Sequence, residues 1–140
     1  MKRTAAARWT GSLKEGSGTL TAPGGALKNT PYSFATRFGD KAGTNPEELI
    51  AAAHAGCFSM AFSNSLGTAG FTPESIDTNA SLTLEQVGGG FSITAVHLDV
   101  TARIPKITPD QFQKIAADAK ANCPVSKVLN AKITMEAKLA

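Results

Sequence analysis

Apolar and polar residues alternate without a break from Ile76 to Glu85, with Ile76, Thr78, Ala80, Leu82 and Leu84 on one parity and Asp77, Asn79, Ser81, Thr83 and Glu85 on the other. A period of two predicts a strand with one face buried. Gly88-Gly89-Gly90 then turns the chain into a second alternating run through Phe91, Ile93, Val96, Leu98, Val100 and Ile104. Its parity slips between Ile93 and Val96, which predicts a β-bulge. Ile133, Met135, Ala137 and Leu139 predict a final strand. The first 38 residues, rich in Gly and Thr, carry shorter alternating stretches at 4–9, 18–22 and 31–38. The turn formers Gly11-Ser12 and Pro23-Gly24-Gly25 separate them, and two or three strands are expected.

Between these regions the period changes. Thr44-Asn45-Pro46-Glu47-Glu48 is a strong helix start: Asn45 can cap it, Pro46 suits the first helical position, and two carboxylates face its positive end. The helix is expected to reach about Leu66 and stop at Gly67. Leu49, Ile50, Ala53, Cys57, Phe58, Met60 and Phe62 spread round most of its circumference, so it must be covered on most sides. Thr108 and Gln111 stand at capping-box spacing and open a second helix with Phe112, Ile115, Ala116 and Ala119 as its apolar stripe. Cys123-Pro124 interrupts that helix, because proline disfavours the helical conformation for the residue before it. Cys123 is expected to cap a short third helix ending near Asn130.

Composition narrows the function classes. Hydrophobic residues make up 42% and charged residues 18% of 140 residues, a folded globular chain and one domain over 1–140. Lys plus Arg (14) against Asp plus Glu (11) leaves +3, scattered, with no basic run beyond Lys2-Arg3, so a nucleic-acid partner is not expected. No charged side chain occurs from Leu49 to Pro73, but His54, several Ser and Asn residues and glycines make the segment too polar for the ~18 apolar residues a membrane span needs. The N-terminus lacks the apolar stretch of a signal peptide, and a cytoplasmic protein is expected.

Nucleotide-binding glycine motifs, Gly-x-Ser-x-Gly and His-Glu-x-x-His are absent. The chemistry-bearing candidates are Cys57, Cys123, His54, His97, Arg37, Glu47 and Glu48. Cys57 reads either as a small buried hydrophobe or as a reactive thiol. Cys123, before a helix, reads either as a cap chosen for size or as a thiol of lowered pKa. Zinc held by His54, Cys57 and Cys123 lacks the close-spaced cysteine pairs of structural sites, and no metal is expected. His54 reads as a core histidine and His97 as surface. Arg37 and the two glutamates read equally as a strand-end charge and helix-start residues.

Together these residues resemble the OsmC family of thiol-dependent peroxidases, which includes the organic hydroperoxide resistance proteins. The resemblance rests on Thr36-Arg37-Phe38; on Gly43-Thr44-Asn45-Pro46-Glu47-Glu48-Leu49, leading through Ala52-Ala53-His54-Ala55 to Cys57-Phe58-Ser59-Met60; on Gly70-Phe71-Thr72-Pro73; and on Cys123-Pro124-Val125-Ser126. Their order and spacing match across almost the whole chain. The arginine twenty positions before the first cysteine resembles the OsmC branch, and Gly56 stands where the family often has alanine.

The resemblance implies an α+β fold with antiparallel sheets, a long central helix, a second helix and an intertwined homodimer. It implies Cys57 as the peroxidatic thiol, Cys123 as the resolving one, and Arg37 and Glu47 as the family's arginine and glutamate. The substrate would be an organic hydroperoxide and the reductant a dithiol, for which the family points to the lipoyl type; no cofactor is implied. A disulfide between the cysteines needs Cα atoms about 4.4–6.8 Å apart, so the Cys123-Pro124 corner is expected against the middle of the first helix. Glu47 lies ten residues before Cys57, roughly 15 Å along a helix axis, too far for its side chain. If Glu47 holds Arg37 beside the reactive sulfur, as the resemblance implies, both are expected from the second subunit. A non-enzymatic ligand- or metal-binding stress protein of the same fold is the alternative.

Overall fold

A computed structural model describes all 140 residues, which gather into two compact units, Met1–Leu49 and Ile50–Ala140. In the first, β1 (Ala6–Thr10), β2 (Ser17–Thr21) and β3 (Thr30–Tyr32) form an antiparallel sheet in the order β1-β2-β3. Gly18 pairs with both Trp9 and Tyr32, whose rings meet at 5.4 Å between centroids. A Cβ there would fall 2.5 Å from the Tyr32 ring, so only glycine lets the aromatic pair close over the central strand.

The strand expected at 31–38 is corrected. Only Thr30–Tyr32 is extended; Phe34–Phe38 is a short helix, α1. The Ser33 hydroxyl accepts from Thr36 N–H, and the Thr36 hydroxyl accepts from Ser33 N–H at 2.9 Å. Two reciprocal caps outweigh an alternation only a few residues long. The long helix α2 (Pro46–Thr68) begins as expected, with Glu48 N–H donating to Asn45 Oδ1 at 2.8 Å. It runs one residue past Gly67 and closes through Gly70, whose φ of +88° suits glycine.

In the second unit β4 (Ser75–Val87) pairs antiparallel with β5 (Gly90–Arg103). Their register steps from Thr83↔Ala95 to Leu84↔Ile93, leaving Thr94 extra, which is the expected bulge. One pairing departs from the expected antiparallel sheets: β6 (Lys132–Leu139) lies parallel to β5. Between them α3 (Pro109–Asn122) and α4 (Pro124–Val128) carry the chain back to the starting end, the crossover that parallel neighbours require.

The core is made here. Phe58, Phe62 and Leu66 of α2 stand four residues apart and are fully buried with Val96, Leu98, Val100 and Ala102 of β5 and Phe112, Ala116 and Ala119 of α3. Phe62 lies between Phe58 and Phe112, at 5.6 and 5.7 Å between ring centroids. The opposite flank of α2 is bare: Ala52, Ala53 and Gly56 are exposed and Met60 is 78% exposed. By length and composition α2 is apolar enough to cross a membrane, and only 22% of its most apolar window is buried. The covering that its apolar surface demands is thus only partly supplied within one chain.

Candidate active site

His54 and Cys57 are three residues apart on α2 and share a face. His54 is completely buried and Cys57 half-buried. Cys123 sits at the junction of α3 and α4 with φ −57° and ψ 123°, the extended ψ that a following proline imposes. Its N–H donates to the Ala119 carbonyl at 2.9 Å and its carbonyl accepts from Lys127 N–H at 3.0 Å, so the corner is held from both helices. Cys123 is fully buried.

The two free thiols of one chain act on each other's proton equilibrium. Their proton equilibria move in opposite directions. Burial pushes the Cys57 thiol up; the Val125 N–H works against this, while donation to Cys123 and the charge of that sulfur reinforce it. Burial also pushes Cys123 up, but the Ser126 N–H, the Cys57 thiol, the Ser126 hydroxyl and the Val125 N–H all favour its anion, and its pKa falls. These are loosely directed contacts, since Cys123 makes no regular side-chain cap for α4. Four of them on one sulfur nevertheless outweigh desolvation.

Behind Cys123 the Ser126 hydroxyl lies 2.7 Å from His54 Nε2. Burial lowers the His54 pKa, so the ring is neutral at pH 7. Its Nδ1 is buried with no partner. Sequence reasoning missed this pair. The available signal was a shared offset, His54 three residues before one cysteine and Ser126 three after the other.

In the first unit the Arg37 guanidinium grips Glu47: Nε donates to both carboxylate oxygens at 3.1 Å, and the second terminal nitrogen to Oε1 at 2.7 Å. The fork holds the arginine plane. The guanidinium carbon lies 5.0 Å from the centroid of the Phe38 ring. Trp9, Leu13, Tyr32, Phe34 and Phe38 line an apolar cavity of about 240 Å³ that Arg37 also borders.

His54, Cys57 and Cys123 do not converge as metal donors. The three donors that do, His97, Asp99 and Glu136, lie on half-buried or exposed positions of β5 and β6. They are already engaged: His97 Nδ1 is 2.7 Å from the Thr134 hydroxyl, its Nε2 is 3.3 Å from Asp99, and Glu136 pairs with Lys138. His97, read as surface, is half-buried through these contacts.

The family described as OsmC-like protein matches residues 39–138. The chain is 52% identical over 133 residues to Peroxiredoxin OsmC of Escherichia coli, covering 95% of this chain and 93% of that protein. It is 28% identical over 120 residues to the organic hydroperoxide resistance protein of Xanthomonas axonopodis pv. citri, covering 82% and 78%. Among solved structures, an OsmC-like protein of unknown function from Vibrio cholerae shares the fold at a TM-score of 0.79 and 21% identity, covering 98% of this chain and 99% of that one. The organic hydroperoxide resistance protein OhrB of Bacillus subtilis follows at 0.70 and 23%, covering 96% and 98%.

Proposed function

We propose a function from the premise that this chain belongs to the OsmC family and to its OsmC branch: it is a peroxidase that reduces organic hydroperoxides with a pair of cysteine thiols. A hydroperoxide-related peroxidase role is supported by the names of its relatives, Peroxiredoxin OsmC and organic hydroperoxide resistance protein. The observation that carries the finer reading is the meeting of two free thiols, one half-buried and one enclosed.

Access divides the labour. A peroxide can reach Cys57 but not Cys123, so Cys57 attacks. Its thiolate bonds to one peroxide oxygen, the O–O bond breaks, and an alcohol leaves with a proton, leaving Cys57 as a sulfenic acid. Cys123 then attacks the Cys57 sulfur; the S–S bond forms, the S–O bond breaks, and hydroxide leaves as water after taking a proton. A dithiol reductant, of the lipoyl type in this family, regenerates the pair by exchange.

The attacking anion needs a positive neighbour. The groups acting on the Cys57 thiol, Val125 and Cys123, bring none, and its pKa is raised. Arg37, clamped by Glu47, supplies it in this reading and also stabilises the charge growing on the leaving oxygen. The aromatic cavity beside Arg37 takes the organic tail. Helix rise separates Glu47 from Cys57 by roughly 15 Å. The arginine and its glutamate therefore come from a second copy, whose long helix covers the bare flank of α2. Residues 1–140 act as one OsmC-like domain in a cytoplasmic homodimer, with no cofactor and no nucleic-acid or membrane partner.

Mixed dimers test this. Cys57→Ser and Arg37→Ala chains, each inactive alone, are refolded together. A shared site leaves one intact pocket per mixed dimer, and activity should return to about a quarter of wild type, because half the dimers are mixed. No recovery, with mixed dimers demonstrated, places both residues in one chain. Thiol titration after one equivalent of an alkyl hydroperoxide separates the enzyme from a non-enzymatic binding protein: the enzyme loses two thiols per chain, the binding protein none.

A further inference from the structure

His54 and Ser126 have no part in the reaction as written above, yet a fully buried imidazole and a half-buried hydroxyl form a polar chain that leads to a reacting sulfur. We propose that both are positioning residues for the Cys123 thiolate: His54 Nε2–H donates to the Ser126 oxygen and so keeps the Ser126 hydroxyl hydrogen aimed at Cys123. Its use in catalysis rests on the peroxidase reading, because a sulfur held as an oriented anion is what the attack on a Cys57 sulfenic acid requires.

The proposal follows from counting hydrogens. A serine hydroxyl has a single hydrogen to give, while its oxygen can accept. Ser126 is the third residue of α4, one turn after Cys123 at that helix's N-cap, and its Oγ lies 2.7 Å from His54 Nε2 while its hydroxyl favours the Cys123 anion. If the imidazole carries its proton on Nδ1, the hydroxyl must turn to Nε2. The sulfur then loses a donor, and an Nδ1–H is stranded in the interior with no partner. If the proton is on Nε2, the ring donates to Ser126, the hydroxyl donates to Cys123, and the unpartnered atom is a bare lone pair. A buried donor without an acceptor is the rarer and costlier defect. Burial keeps the ring neutral, which leaves Nδ1 unprotonated.

The chain joins α2, which carries Cys57, to α4, which follows Cys123. Cys57 is the titratable group that acts on the Cys123 sulfur, and the hydrogen bond of His54 on this side is to Ser126. That indirect link separates this role from mere packing, since a change at a ring that does not touch the sulfur should alter the sulfur's ionisation.

Two measurements test it, neither using peroxide. Imidazole ¹⁵N NMR on the intact reduced protein reads the tautomer of His54. The Nε2–H form is expected, and an Nδ1–H form overturns the proposal. The second measurement titrates the Cys123 thiolate by its ultraviolet absorbance in the Cys57→Ser protein. Ser126→Ala and His54→Leu should each raise the midpoint by about one pH unit, a tenfold loss of thiolate at a given pH. Ser126→Thr should restore it, and His54→Gln, which keeps an N–H donor, should stay near the parent. The double variant Ser126→Ala with His54→Leu should move no further than Ser126→Ala alone. An unmoved midpoint in His54→Leu, or additive shifts in the double variant, refutes the indirect link. Should His54→Leu not fold, the tautomer decides. A protein that passes both measurements but leaves alkyl hydroperoxides intact defeats the peroxidase reading and not this one.

Discussion

The unit Met1–Leu49 buries no large apolar side chain, only Gly18, Thr36 and Asn45, whereas Ile50–Ala140 holds every residue of the hydrophobic core. The difference divides the chemistry. Thiols that must shed water to meet are placed against the core, where burial and fixed donors set their ionisation. The Arg37–Glu47 pair, on α1 and the first turn of α2, and the aromatic cavity belong to a unit with little interior of its own. A three-stranded sheet of this kind gains stability by being covered. On the proposed function a second copy provides the cover, so that the coreless unit of one chain completes the thiol site of the other.

The sharpest break between the units is at the sulfurs. Cys57→Ser should abolish turnover, because a hydroxyl is a far weaker nucleophile at neutral pH. Cys123→Ser should reduce one equivalent of peroxide and then leave Cys57 to oxidise further under excess, visible by mass spectrometry. If instead Cys57→Ser consumed the single equivalent and Cys123→Ser did not, the roles would be reversed, as the lowered pKa of Cys123 alone would suggest. On the coreless side, Arg37→Ala should lower kcat/KM by about 10²–10³, the size of one lost oxyanion donor. Arg37→Lys should recover little, since an ammonium cannot grip Glu47 through two parallel bonds. Steady-state kinetics on a bulky alkyl hydroperoxide reads both.

Stability should follow the same division. Phe62→Ala opens the centre of the core and should cost about 3–5 kcal/mol in denaturant unfolding. Trp9→Ala or Phe34→Ala should hardly change a monomer's stability, yet should lower the preference for a bulky alkyl hydroperoxide over hydrogen peroxide by about tenfold. An equal loss toward both peroxides would remove the cavity from the substrate path.

The smallest effect is on pH. His54 has a lowered pKa in the folded chain, so below the unfolded value near 6.5 the unfolded chain binds a proton that the folded chain does not. Stability should therefore fall as pH drops below about 6.5, by at most about 1.4 kcal/mol per unit from this group. His54→Gln should remove that component of the slope in unfolding curves between pH 6.5 and 5.

Most elements were legible because their signals are local. Asn45-Pro46 starts α2, Thr108 with Gln111 starts α3, the β4 period is unbroken, and the bulge shows as a slipped parity in β5. Cys57 and Cys123 stood out as the chain's two cysteines, and their closeness was expected only through the family resemblance, which implies a disulfide between them. Phe34–Phe38 is helical and not extended because a reciprocal Ser33–Thr36 cap is worth more than the short alternation at 31–38, though both signals are written in the same letters.

Other features depend on distance along the chain. Whether β6 lies parallel or antiparallel to β5 is decided by how α3 and α4 return the chain, not by the period of β6 itself. The clamp of Arg37 by Glu47 joins residues ten apart through a loop that no periodicity describes. The contact of His54 with Ser126 spans 72 positions. Local sequence determined where each helix and most strands begin and end, because caps, turns and periods act over a few residues. Tertiary structure decided which thiol lies open, which is buried and which histidine stands behind it, because burial belongs to surroundings assembled from residues far apart in the chain.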